Sequence, residues 1–156
     1  MSNSAAARRL VAFRLGSGRH AVALAAVQRV LAAAAVTPLP AAAPEGVLGV
    51  LDVAGQVLPV YAARERFGLP AKPLEPDDQF LLLRTPRRLL ALVVDEALGV
   101  IECDAAVLDA AALVPGLQRP AGVARLPDGL LLVHDVELLL SPSQEEALVV
   151  ALEGRT

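Results

Sequence analysis

Apolar positions fall in short runs punctuated by glycine and proline, a spacing that predicts an all-β chain. Val11, Phe13 and Leu15 alternate with Ala12 and Arg14, a half-buried strand over 10–15. Gly16-Ser17-Gly18 turns it into a returning strand at 20–24. Ala25–Ala35 is alanine-rich, and Val27, Val30 and Leu31 share one helical face, so a helix is predicted there. The stretch 36–40 is extended by its prolines, and a loop follows to Pro44. The run 46–69 reads as two apolar strands around Ala54-Gly55, then a short amphipathic turn. Gly55 suits a position with positive φ. Pro59 has no N–H for a ladder, so its strand is expected at an edge or a bulge.

Residues 70–78 hold three prolines and three acids and read as a solvated linker. Hairpins follow at 80–83 with 89–94 and at 122–126 with 130–133, with a strand at 97–103 between them. Residues 104–114 fit a helical turn or a loop, and 136–140 a short helical piece. A final helix is predicted over 142–152, with Ser141 as N-cap, Pro142 at its first position and a stripe of Leu148, Val149 and Leu152. Residues 1–8 read as a flexible tail.

The chain repeats itself. Ala21–Val30 lies over Ala91–Val100 without a gap, and Gly49–Val60 resembles Gly122–Val133 with one gap. About five short strands per copy suit a small barrel. The expected architecture is therefore two similar barrels, one about 9–69 and one about 79–140, joined by the 70–78 linker.

Composition narrows the function. The chain has 156 residues, 55% of them hydrophobic but only 3% aromatic, so its core is built from Ala, Val and Leu. A formal net charge of −3 argues against a nucleic-acid footprint. Cys103 is the single cysteine, so no intramolecular disulfide forms. No apolar run approaches the ~18 residues of a membrane helix, and no signal peptide is read at the N-terminus. A cytoplasmic protein without direct membrane insertion is expected.

Candidate chemistry is sparse. His134-Asp135 with His20 is the one set that suggests a small metal-dependent hydrolase, provided the two histidines converge. Cys103 lacks an evident base. Asp104 with Asp109, and Glu145 with Glu146, read as solvated acids. With no phosphate loop, metal-ligand cluster or triad in the sequence, no catalysis and no cofactor are expected. A self-associating structural barrel is a third class.

The segment 46–69 resembles the G-V-x-N-L-R-G-x-x-x-P-V-x-D-L-R signature of CheW-like domains, adaptors of bacterial chemosensory arrays. Gly49, Val50, Gly55, Pro59, Val60, Arg64 and Phe67-Gly68 carry the match. The Phe-x-Leu start at Phe13, Val27 with Val30, the Thr37-Pro38-Leu39-Pro40 approach, Leu92-Val93-Val94-Asp95 and Gly99-Val100 extend it over about 10–148. The resemblance implies tandem SH3-like barrels with short connecting helices and a C-terminal helix. It implies a link between chemoreceptor cytoplasmic tips and the regulatory domain of a CheA-type histidine kinase. Gly55, Val57 and Leu58 would face the kinase; Val27, Arg29, Val30, Gly49 and Ala54 would face the receptor. Asp52, Ala54 and Ala62 replace the family's usual Asn, Arg and Asp, and Arg29 replaces its usual Glu. The Glu–Arg pair is therefore absent, which points to altered receptor coupling or to a specialised system controlling pili or surface growth.

Overall fold

The computed structural model describes residues 8–39, 44, 46–103, 108–109, 121–138 and 142–153. Eleven strands are described: β1 (Arg8–Leu15), β2 (Gly18–Ala23), β3 (Val27–Ala32), β4 (Val47–Val53), β5 (Gln56–Ala62), β6 (Gln79–Arg84), β7 (Leu89–Val94), β8 (Glu96–Cys103), β9 (Leu108–Asp109), β10 (Ala121–Leu126) and β11 (Gly129–His134). Short 3-10 turns occupy Leu24–Ala26 and Val136–Leu138, α1 is Ala63–Arg66, and α2 is Pro142–Glu153. The expected tail at 1–7, most of the loops 40–44 and 104–114, and the Ser141 cap lie outside the described residues.

The strands form two sheets, ordered β9-β10-β11-β2-β1-β8 and β3-β6-β7-β5-β4. Each is an SH3-like barrel. The five-stranded, central barrel is continuous in sequence. The six-stranded, terminal barrel joins the first hairpin to the last strands. This corrects the expected division at 70–78: that stretch connects two strands of one barrel, and the sequence changes sheet at 23–27 and again at 94–96. The stretch is solvated as expected, with 70, 71 and 73–77 exposed, but it is tied down at Lys72 and Asp78. Lys72 Nζ reaches the buried Asp78 carboxylate at 2.9 Å and Glu75 at 3.1 Å, and Ala33 N–H donates to the Asp78 carbonyl.

The repeat is real, but its copies exchange strands. In the terminal barrel Arg9, Leu10, Val11 and Ala12 face Glu102, Ile101, Val100 and Gly99. Their counterparts 70 residues on or back, Gln79, Phe80, Leu81 and Leu82, face Ala32, Leu31, Val30 and Arg29. Both ladders carry an irregularity at the same place. Likewise β5 runs parallel to β7 with Val60 on Ala91, and β11 runs parallel to β2 with Val133 on Ala21. Each hairpin thus pairs with strands of the other copy.

The helix expected over 25–35 is absent. After the 3-10 turn, residues 27–32 form β3 against β6. Alanine propensity is a weak local preference, and a ladder partner far along the chain overrides it. Of the two placements expected for Pro59, the edge is not found, since β5 is an inner strand and β4 lies outside it, but the β4–β5 ladder does carry an irregularity beside it, between Val47 and Gly49. Val50 uses its N–H and carbonyl on Thr37, so the Val50–Pro59 pair needs no hydrogen bond from Pro59. Pairing with β7 begins only at Val60, so the missing N–H costs no ladder bond there either.

Three clusters make the core. Leu51, Leu58, Val60, Phe80, Leu82, Leu89 and Ala91 fill the central barrel. Leu10, Ala12, Ala21, Cys103, Ala124 and Leu131 fill the terminal barrel with smaller side chains. Between the barrels lie Phe13, Leu15, Val22, Tyr61, Leu81, Leu83, Leu90, Leu92, Val94 and, from α2, Leu148. Phe80–Leu83 of β6 and the whole of β7 are apolar because one face lines a barrel and the other lines this junction. Each fully buried Leu or Phe contributes about 1.5–3 kcal/mol.

Chain beyond β3 closes the central barrel. Thr37 and Val50 exchange two backbone hydrogen bonds of 2.9 and 2.8 Å. That approach requires Gly49, where a Cβ would collide with the Thr37 carbonyl oxygen and meet Pro38 Cα at 3.0 Å. Gly49→Ala should therefore pry the seam open and cost about 2–3 kcal/mol. Urea melts should report the loss, and hydrogen exchange should accelerate at the Thr37 and Val50 amides first.

The junction also holds a polar pair. His20 Nδ1 and His134 Nε2 lie 2.9 Å apart, and both side chains are buried. Phe67 stacks on His134 with centroids 3.7 Å apart, and Phe13 stacks on His20 at 5.8 Å. Burial pushes His20 down to about 4; burial and then the neighbouring His20 push His134 down to about 3. Folding thus requires both imidazoles neutral, whereas unfolded histidine titrates near 6.5. The unfolded chain binds more protons below that pH, so stability falls as pH drops from about 6.5 toward 4. Between pH 6.5 and 5 the loss should reach roughly 2 kcal/mol for each imidazole. Denaturation midpoints across pH 7.5–5 measure it, and replacing both histidines with glutamine should flatten the profile.

Candidate functional site

The β4–β5 hairpin projects from the central barrel on a two-residue turn. Ala54 has φ 51° and Gly55 φ 88°, the left-handed pair that matches the twist of its flanking strands. The positive φ expected at Gly55 is present. At Ala54 the same geometry carries a cost of roughly 1–2 kcal/mol. Asp52 offsets part of it, because its Oδ1 accepts the Gly55 N–H at 2.8 Å. The carboxylate thus fixes the turn from the position where the resembling family has Asn.

The residues assigned to the kinase separate into two kinds. Gly55 and Val57 are exposed, Val57 at 40%. Leu58 is 1% exposed and belongs to the barrel interior. The receptor set separates likewise. Arg29 and Val30 are exposed on β3, and Ala54 is exposed at the turn. Val27 is half-buried against the junction core, and Gly49 is buried under Thr37 and Pro38. Of these eight residues Arg29, Val30, Ala54, Gly55 and Val57 are exposed, whereas Val27 is half-buried and Gly49 and Leu58 are buried.

Behind the hairpin, α1 is stapled to the terminal barrel. Arg64 donates two hydrogen bonds to Asp95, whose Oδ2 also accepts the Gly16 N–H at 2.8 Å. Arg14 stands 3.5 Å from the same carboxylate. Burial works against the charge on Asp95, but the bonds from Arg64 and Gly16 outweigh it and hold its pKa below the ordinary value. Asp95, read from sequence as a turn residue, thus ties together both barrels. The C-terminal helix is anchored similarly: Glu145 meets Arg88 at 2.6 Å and Arg87 at 3.5 Å, and Leu148 and Ala151 are fully buried.

The histidines do converge, as the hydrolase reading required. They converge on each other. At 2.9 Å the facing nitrogens have hydrogen-bond spacing, which leaves no space for an ion between them. Asp135 is exposed and accepts the Glu137 N–H at 2.9 Å, capping the 3-10 turn. Among the described residues no group of three His, Cys, Asp or Glu is placed to hold a metal. Cys103 is a buried member of the terminal-barrel core. No helix among the described residues is long and apolar enough to cross a membrane.

Arg84, which sequence reasoning did not single out, is exposed and reaches Gln28 Oε1 on β3 at 3.4 Å.

Comparison with known proteins agrees with this architecture. The family model described as a CheW-like domain matches residues 9–144. A probable chemotaxis protein CheW of Rhizobium etli is 25% identical over 145 residues, covering 90% of this chain and 92% of that protein. The chemotaxis protein CheW of Rhizobium meliloti is 31% identical over 94 residues, 60% of each chain. The chemotaxis protein CheW of Treponema pallidum is 25% identical over 146 residues, 89% of this chain and 85% of that one. The crystal structure of the scaffolding protein TtCheW from Thermoanaerobacter tengcongensis superposes with a TM-score of 0.75 at 20% identity, covering 88% of this chain and 94% of that chain. With the model match spanning most of its length, the chain belongs to the CheW-like domain family.

Proposed function

We propose that this chain is a non-catalytic adaptor of a chemotaxis-like signalling array, acting in the cytoplasm. It links the cytoplasmic tip of a chemoreceptor to the regulatory domain of a CheA-type histidine kinase. The observation that carries this reading is the exposure pattern of the β4–β5 hairpin. Val57 is 40% exposed, while Leu58, Val60 and Tyr61 behind it are at most 1% exposed. The hairpin is therefore anchored by its base and presents one apolar side chain at a turn held rigid by Asp52. A preorganised apolar contact with a polar rim is what a reversible protein interface uses. Gly55 and Val57 meet the kinase domain, and Leu58 supports them from within. Val30 and Arg29 on β3 serve the receptor, with Val27 and Gly49 fixing the strand positions around them and Ala54 at the rim.

Val57→Glu places a charge in that contact without touching the core. Affinity for the kinase regulatory domain should fall by ~2 kcal/mol or more, about thirtyfold, with the melting temperature nearly unchanged. Leu58→Ala should do the reverse, losing about 2–5 kcal/mol of stability while the folded fraction keeps most of its affinity. Calorimetric titration and thermal melts of both variants separate contact from support. Unchanged binding by Val57→Glu would remove the hairpin from the interface.

A further inference from the structure

A cavity of about 50 Å³ lies where the β6–β7 turn meets α2 and the 3-10 turn at 136–138. One water needs only about 10–15 Å³, so a larger group fits. Leu90 and Val136 form apolar wall, and Tyr61, Arg87, Arg88 and Glu145 are polar lining. Two buried atoms of that lining, the Tyr61 hydroxyl and Arg88 Nε, have no hydrogen-bond partner among the described residues. Tyr61 is 1% exposed.

The other polar groups around them are already engaged. Glu145 Oε1 accepts from Arg88 Nη2 at 2.6 Å, and Oε2 stands 3.5 Å from Arg87 Nη1. Thr85 Oγ1 donates to the Arg88 carbonyl and accepts the Arg87 and Arg88 amides. Burial and then the Glu145 charge push the Tyr61 hydroxyl well above its ordinary pKa, with Arg88 first among the groups opposing them. The hydroxyl therefore keeps its proton at neutral pH and can donate it. Arg88 Nε–H can only donate. A buried donor left unmet is costly, and what meets both of these is an acceptor.

The repeat provides an internal control. Tyr61 and Leu90 stand where the terminal barrel has His134 and His20. There the two polar rings meet each other, and Phe67 lies on His134. Leu90 offers the Tyr61 hydroxyl nothing. Charge narrows the acceptor further. Arg87 and Arg88 outweigh Glu145 by one positive charge, and the exposed Glu137 at the rim is screened by water. A guanidinium matches carboxylate geometry, and a single surplus charge suits a monoanion better than a phosphate dianion.

We propose that this cavity binds a small free carboxylate of the formate or acetate class, its oxygens accepting from the Tyr61 hydroxyl and Arg88 Nε–H. Arg87, its side chain 55% exposed, stands at the mouth. The bound anion ties β5 to the β6–β7 turn and, through Arg88 and Glu145, to α2. This site is independent of the adaptor reading.

Tyr61 is the only tyrosine and the chain has no tryptophan, so intrinsic fluorescence reports on this one side chain. The test titrates the protein at neutral pH with sodium acetate, against sodium chloride and sodium phosphate at equal ionic strength and against acetamide. Acetate should change the fluorescence saturably and raise the melting temperature, as a ligand of the folded state does. Chloride and acetamide should do neither, and phosphate should bind more weakly than acetate. Tyr61→Phe removes one oxygen and should weaken acetate about tenfold by calorimetry. Arg88→Lys keeps a cation for Glu145 but loses Nε, and should weaken it similarly. Circular dichroism certifies the fold of both variants. A fluorescence response that never saturates, or that chloride reproduces, means bound water only and overturns the proposal. Phosphate binding tighter than acetate overturns the carboxylate class. Unchanged acetate affinity in Tyr61→Phe overturns the site, whether or not Arg88→Lys folds.

Discussion

The exchange of strands between the two repeats is the constraint on which the rest depends. A hairpin that pairs within its own copy would leave two independent barrels touching at their surfaces. Here β1 and β2 complete a barrel whose other strands come from the far end of the chain. The chain must therefore pass from one barrel to the other and back, and the junction becomes a core as apolar as either interior. Two sets of polar groups at that junction are satisfied on the spot. His20 and His134 bond to each other, and Asp95 collects Arg64 and the Gly16 N–H. In the repeat these histidines stand where the central barrel has Leu90 and Tyr61, so one copy fills with apolar bulk what the other fills with a hydrogen-bonded pair.

Much of this was legible in the sequence. The hairpins, the turn glycine, the C-terminal helix and the existence of a repeat follow from period-two patterning and turn residues, which act locally. Strand exchange was not legible, because hydrophobic alternation states which face is buried and not which strand lies beside it. The β3 error is different. Val27–Ala32 lies over residues read correctly as a strand in the second copy, so the repeat itself contradicted the helix. Alanine content masked it, since a helix preference is written in the residues that have it, while the ladder with β6 is written in residues fifty positions away. At the candidate site, the motif located the hairpin but could not sort its residues. Leu58 and Val57 are equally apolar, and only the pleat decides which one faces solvent. Gly49 looked like a surface signature and proved to be the clearance for Thr37.

The two exposed regions of the central barrel differ in kind. The hairpin tip offers an apolar residue on a rigid turn. The β3 surface offers an exposed valine, Val30, on an outer strand of the sheet. An adaptor that must hold two partners at once needs such a difference, since two similar surfaces would compete for the same ligand.

Strand exchange also bears on how the chain is made. During synthesis every strand of the central barrel emerges before β8 is complete, so this barrel can close while the ribosome is still extending the chain. β1 and β2 emerge first of all and yet must wait, because β11, the parallel neighbour of β2, is the last of the described strands to leave. Until then the side of β2 that β11 will cover is open to any other strand, and the Phe13 and Val22 faces have only the central barrel to lie against. The first hairpin is thus the part of the nascent chain with the longest exposure to misassociation, and the last hairpin is the event that ends it.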